Sequence, residues 1–170
     1  MLVPAFFNTI EQTAFSVWIR ESESVFGYYF VLTFHTIGLG ILVGTSTLVC
    51  LRLLGVAPAL PLPPLTRLYR LIWLGLGLNI VSGLLLLFAY PTKAFTNPLF
   101  YLKLALIGLA VWTMVSIRRR AIDESGRVEP AMIATARALA MWSLILWFGI
   151  ITIGRLLAYT SSFILYGKIM

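Results

Sequence analysis

The chain has 170 residues, 60% of them hydrophobic and only 11% charged, against roughly 25% charged in an ordinary soluble domain. That balance excludes a soluble enzyme, and it excludes nucleic acid as a partner even though thirteen Lys and Arg outweigh six Asp and Glu to give a net charge of +7. Ten of the basic residues are arginines, gathered where apolar runs end; there they act as topology signals and meet lipid headgroups.

From the N-terminus, residues 3–20 carry Phe6, Ile10, Ala14 and Val17 along one side, with Asn8, Glu11, Gln12 and Arg20 elsewhere at helical spacing. The pattern predicts an amphipathic helix in the membrane interface, anchored by Trp18, or a helix packed on the end of the bundle. No basic residue precedes Arg20, so no cleavable signal peptide is expected. After the polar turn Glu21-Ser22-Glu23-Ser24, a first span is predicted over residues 25–52. Pro58, Pro61, Pro63 and Pro64 then make a short stiff connection. A second span is predicted over 68–90, stopping at Pro91, and a third over 97–118, opened by Asn97-Pro98 and closed by Arg118-Arg119-Arg120. The polar stretch Asp123 to Glu129 leads to a fourth span over 137–163. The expected architecture is an all-α integral membrane four-helix bundle in a single domain, residues 1–170, with an interfacial N-terminal helix.

Arg52, Arg67, Arg70, Arg118, Arg119, Arg120, Arg127 and Arg137 flank one side of these spans, and Arg20, Lys93 and Lys168 the other. The excess of positive charge places the first and third loops in the cytoplasm and both termini in the periplasm of a bacterial inner membrane.

Four polar groups fall within the spans. His35, the only histidine, lies ~15 Å along the first helix from Val25, with Asn79 at similar depth on the second. Lys103 lies ~9 Å from Asn97 and Arg155 ~27 Å from Arg137, so all four sit between the midplane and the outer third. Facing lipid they would cost several kcal/mol each, so they are expected to converge on the bundle interior. Each has an alternative role. His35 can be a neutral core residue beside Thr33 and Thr36, and Lys103 can snorkel to the interface. Asn79, midway between Gly75 and Gly83, can hydrogen-bond across a tight helix contact. Arg155 has Thr152 and Tyr159 on its own face and no carboxylate within any span. Its candidate counter-ions are Glu21, Glu23, a lipid phosphate or an anionic ligand. Gly40-x-x-x-Gly44 allows close helix approach, within the chain or in a homodimer. The lone Cys50 supports neither an intrachain disulfide nor a cysteine metal site.

The stretches Phe34-His35-Thr36-Ile37-Gly38-Leu39 to Leu51-Arg52-Leu53-Leu54-Gly55, Ser82-Gly83, Asn97-Pro98-Leu99-Phe100-Tyr101-Leu102-Lys103 and Gly154-Arg155-Leu156-Leu157-Ala158-Tyr159 resemble an uncharacterised bacterial family of four-helix inner-membrane proteins. More distantly, a histidine in the first span and a lysine opening the third are similar to the copper-resistance D membrane family and the haem-associated protoporphyrinogen oxidase family. The resemblance implies a haem, metal or quinone role. The chain lacks the second histidine of a bis-histidine haem, and copper routes favour several Met, Cys or His ligands.

The leading expectation is a redox-associated membrane subunit, non-catalytic or weakly catalytic, that binds haem b or a quinone near the periplasmic leaflet. His35 would be the axial ligand or quinone partner, Lys103 and Arg155 would neutralise propionates or polarise a carbonyl, and Tyr159 and Asn79 would support them. The rivals are a structural subunit docking a larger membrane complex and a small-solute or metal transporter.

Overall fold

The computed structural model describes residues 5–22, 26–56, 65–123 and 130–160, and every regular element among them is helical. Two short helices, α1 (Ala5–Glu11) and α2 (Ala14–Glu21), precede α3 (Tyr28–Leu54) and α4 (Leu65–Ala89). A single turn, α5 (Pro91–Phe95), leads into α6 (Pro98–Ile117), which continues as a π-helical turn through Asp123; α7 (Pro130–Tyr159) completes the described fold. Four helices are long and apolar enough to cross a membrane: Tyr28–Leu54, Arg67–Ala89, Pro98–Arg120 and Ala134–Tyr159. The chain is an all-α, multi-pass membrane bundle.

Local chemistry accounts for where these helices begin and end. α3 passes the predicted stop at residue 52 and ends at Leu54, because Gly55 takes a left-handed φ of 82° that lets Val56 N donate to Leu51 O. α4 starts at Leu65, directly behind the proline run and three residues before the predicted 68, and ends at Ala89 rather than 90. For α6, Asn97 caps the helix by accepting from Leu99 N, and Pro98 occupies the first turn, where its missing N–H costs nothing. α7 begins at Pro130, seven residues ahead of the predicted start at 137, and stops at Tyr159. The predicted end at 161–163 and the predicted start of the first span at Val25 lie outside the described residues.

The single N-terminal helix predicted over 3–20 is instead two, with residues 3 and 4 outside the described residues. Thr13 makes the break: its hydroxyl donates to Ile10 O at 2.7 Å and accepts from Ser16 N at 3.4 Å, closing one helix and capping the next. This hairpin packs on the end of the bundle through buried Ser16 and Ile19, while Phe6, Phe15 and Trp18 stay exposed. It also satisfies backbone that proline leaves open. Pro91 ends α4, and the exposed carbonyls of its last turn accept from elsewhere: Phe88 O from the Ser16 hydroxyl at 2.7 Å, Ala89 O from the Arg20 guanidinium at 3.3 Å. Arg20 is held in turn by Glu11 O at 3.2 Å, by the Glu11 and Glu21 carboxylates, and by the Tyr90 ring. Thr92 donates to the Glu11 carboxylate, tying α5 into the same cluster.

α3 packs chiefly on α4 and α6 on α7, and the two hairpins meet where α3 crosses α7. Lipid tails are as apolar as leucine, so close packing rather than the hydrophobic effect holds such helices together. The tightest approach is at Gly75, where a methyl group would lie 2.7 Å from Leu42 N and 3.0 Å from Gly38 O. Gly40 and Gly44, expected at a close helix approach within the chain or in a homodimer, are at no helix contact within the chain: a methyl added at either would meet nothing within 4 Å. An apolar core of Leu42, Val49, Tyr69, Met114, Trp147 and Ile150 fills the half of the bundle nearer the α3–α4 loop.

By this packing, Gly75→Ala lowers stability by about 1–3 kcal/mol through overpacking, whereas Gly40→Ala and Gly44→Ala stay within about 0.5 kcal/mol of wild type, measured by reversible SDS unfolding in mixed micelles. Arg20→Gln frees the N-terminal hairpin, read as faster proteolysis between α1 and α2 with the membrane helices still intact.

Candidate functional site

His35 lies ~10 Å along α3 from Tyr28, on the side that faces α4. Its backbone carbonyl accepts from Asn79 Nδ2 at 3.2 Å, and its Nδ1 lies 2.9 Å from Ser82 Oγ. Gly38 makes the first contact possible, because a methyl there would lie 2.8 Å from Asn79 Nδ2. Gly83 faces the imidazole, where a methyl would lie 3.4 Å from Cε1. One stretch of α4 therefore supplies the hydroxyl and the bare backbone that face the His35 ring and the amide that holds its backbone carbonyl.

The Ser82 hydroxyl lies 2.6 Å from Leu78 O, one helical turn back, and 2.9 Å from His35 Nδ1, and it has one proton to give. When that proton goes to the carbonyl, the hydroxyl accepts from Nδ1–H and the Nε2 lone pair is left free; when it goes to Nδ1, the ring carries its own proton at Nε2. The first arrangement keeps the Ser82–Leu78 hydrogen bond and presents Nε2 as an acceptor.

Lys103, on α6, reaches the same region from the other hairpin. Its side chain runs across Gly154 of α7, where a methyl would lie 3.7 Å from Nζ and 3.8 Å from Cε. The residue is half-buried, and its ammonium is close enough to act on the His35 ring electrostatically. Among the described residues Lys103 makes no hydrogen bond and no ion pair; both ion pairs found there belong to Arg20. A primary ammonium held in a membrane bundle near a histidine ring, with no hydrogen-bond acceptor among the described residues, is a donor suited to a ligand oxygen.

Of the four groups expected to converge, His35, Asn79 and Lys103 do and Arg155 does not, nor does the supporting residue Tyr159 join them. Arg155 lies on the exposed side of α7 and Tyr159 is 79% exposed; neither is placed against His35. The reason is helical phase. Gly154 is the residue of that turn facing Lys103, which turns Arg155, 100° around the helix, away. Glu21, one of the counter-ions considered for Arg155, is engaged by Arg20 at 3.2 Å, and Glu23 lies outside the described residues. The site also includes Ser82, which the sequence marks only as part of a motif. Its spacing of three from Asn79 and seven from Gly75 puts it on the same face of α4 and is a usable signal.

Among the described residues no three His, Cys, Asp or Glu side chains come together to hold a metal ion. A haem needs an axial lone pair and a slot for the macrocycle. Nε2 supplies the first, but α3 and α4 meet almost backbone to backbone beside His35, and Arg155 is turned away from where it could meet propionates. The apolar cavity lined by Leu42, Tyr69, Ile72 and Trp147 measures about 10 Å³ and lies in the other half of the bundle. A smaller head group that needs one acceptor and one cationic donor fits these residues better than a haem.

Compared with known proteins, the chain matches no family model, no curated protein and no solved structure.

With a single histidine in the chain, the tautomer is directly measurable. In ¹⁵N-histidine-labelled protein, His35 is expected to show a protonated Nδ1 and an unprotonated Nε2. Ser82→Ala is expected to move it towards the Nε2-protonated form that predominates in the free histidine side chain.

Proposed function

We propose that this protein is a redox-associated membrane subunit whose α3–α4–α6 site binds the head group of a quinone. The observation that carries this reading is the His35 imidazole held 2.9 Å from the Ser82 hydroxyl through Nδ1, with the ammonium of Lys103, which has no hydrogen-bond partner among the described residues, within electrostatic reach of the ring. A quinone is a carrier of two electrons and two protons and presents carbonyl oxygens when oxidised and hydroxyls when reduced. Lys103 is suited to donate to a carbonyl, and His35 Nε2 to accept from a hydroxyl. Ser82 holds the imidazole at Nδ1 and Asn79 holds the backbone carbonyl of the same residue, which limits how far the ring need reorganise when a ligand arrives. The motif resemblance to redox-associated membrane families points the same way.

The same reading puts the site in the outer half of a bacterial inner membrane. The ends of the helices nearer His35 carry Arg20 and Lys93, and the opposite ends carry the arginine clusters, so the positive-inside rule puts the His35 end and both termini in the periplasm.

The test is equilibrium binding of a short-chain ubiquinone or menaquinone analogue to detergent-purified protein. His35→Ala and Lys103→Met are each expected to weaken binding by about tenfold or more, the cost of losing one hydrogen bond in which a charged or fixed partner takes part, while helicity and elution volume stay unchanged. Wild-type affinity in both variants would sink the proposal. An oxidised-minus-reduced spectrum of haem-supplemented preparations separates the haem alternative: an α-band lost in His35→Ala would replace the quinone with a haem.

A further inference from the structure

The way a ligand reaches His35 and Lys103 narrows what that ligand is. At the end of the bundle nearer these residues the helix ends are covered. Ser16 and Arg20 donate to Phe88 O and Ala89 O on the last turn of α4, and Lys93 and Asn97 reach Ala158 O and Thr160 at the end of α7. The segment between α4 and α6 is packed as well, with Ala89, Pro91, Thr96 and Asn97 all buried. Among the described residues, this end is closed by side chains from every neighbouring segment.

The side of the bundle is different. α3 packs on α4 and on α7, and α6 packs on α7, but among the described residues α4 and α6 do not pack along their length. They are joined at the arginine-rich end, where the Tyr69 hydroxyl donates to Met114 O at 3.1 Å. The inward faces of the two helices show the consequence. On α6, Met114 and Ala110 are buried, whereas Ile107 and Lys103 on the same face are half-buried. On α4, Tyr69 and Ile72 are buried, whereas Leu76 and Asn79 are half-buried. A cleft therefore opens between α4 and α6 in the half of the bundle that holds His35, itself half-buried. Its inner end is the small apolar cavity, which has Leu76 and Val111 as walls and Leu42 and Trp147 behind them.

We infer that this cleft admits the ligand sideways from the bilayer and holds the apolar tail of a polyprenyl quinone whose head group lies against His35 and Lys103. The inference rests on the quinone reading of that site and adds the substrate class: a long-tailed quinone dissolved in the membrane, not a water-soluble one. Depth agrees with this. Leu76 lies ~9 Å further into the membrane along α4 than Ser82, and Ile107 ~6 Å further along α6 than Lys103. A head group at the polar residues thus leaves its tail running towards the midplane, where the lining becomes apolar at Leu76, Ile107 and Val111. A tail already in lipid gains close packing there, not hydrophobic burial. An acyl chain alone would fill the cleft but leave both polar groups unused.

The experiment uses full-length protein in nanodiscs and a ubiquinone analogue with a diazirine in its tail. Adducts are expected on α4 and α6 around Leu76, Ile107 and Val111, suppressed by excess unmodified long-tailed quinone. Leu76→Trp with Ile107→Trp fills the cleft below the head group. That variant is expected to lose about tenfold or more in affinity for the long-tailed quinone, the cost of overpacking, while it binds the tail-less head group as the wild type does. Wild-type affinity of the filled variant for the long-tailed quinone overturns the inference, as do wild-type adducts outside the cleft. Should the filled variant lose both quinones, the wild-type adducts decide: confined to the cleft they uphold the inference, elsewhere they overturn it. A diazirine phospholipid that labels the same residues and is not displaced by quinone makes the cleft a lipid site and overturns it too. A wild type that binds neither quinone contradicts the head-group reading itself, and this inference with it.

Discussion

The contact between α3 and α4 at Gly38 and Gly75 governs what the rest of the bundle can do. With a methyl at Gly75 the two backbones could not come within their present separation, because it would lie 2.7 Å from Leu42 N. That separation lets a side chain as short as Ser82 reach the imidazole of His35, and lets Asn79 reach the His35 carbonyl over Gly38. In a membrane these contacts matter beyond their individual strength, which is about 1 kcal/mol each, because the polar groups have no water to turn to. The contact between Ser82 and the His35 ring is thus a consequence of two glycines that never touch the imidazole.

The bundle is divided along its length. Towards the arginine-rich end, Leu42, Val49, Tyr69, Met114, Trp147 and Ile150 form an apolar core. Towards the other end, His35, Asn79, Ser82 and Lys103 replace it with polar groups, and the helix ends are closed by side chains from neighbouring segments. Arg20 and Ser16 close α4, Lys93 donates to Ala158 O at 3.0 Å on the last turn of α7, and Asn97 donates to Thr160 at 3.1 Å. One end therefore supplies packing, and the other supplies hydrogen-bonding groups within a frame that is itself hydrogen-bonded. This is the arrangement expected of a site whose ligand must meet a fixed acceptor and donor.

Much of this is legible in the sequence, and the failures have physical causes. Four uncharged apolar runs separated by proline and arginine are enough for the spans, because a bilayer demands about 20 such residues per helix. Asn79 between Gly75 and Gly83 correctly signals a tight helix contact with an interhelical hydrogen bond. The more conspicuous Gly40-x-x-x-Gly44 makes no helix contact within the chain, since a glycine stripe shows what can approach and not which face has a partner. Arg155 and Tyr159 have the residue types of a site, but a shift of one residue on a helix is 100°, and Gly154 holds the inward position. The role of Arg20 is hidden because its acceptors, Glu11 and Ala89, come together only when the N-terminal hairpin folds onto the end of α4.

The most direct test of the His35–Lys103 site is photo-crosslinking with an azido-quinone on the full-length protein in nanodiscs, followed by peptide mapping of the adducts. Labelling confined to the α3, α4 and α6 segments around His35, Ser82 and Lys103, and suppressed by excess unmodified quinone, is the result expected here. Adducts spread over the lipid-facing residues of all four helices, unaffected by competitor, would contradict it.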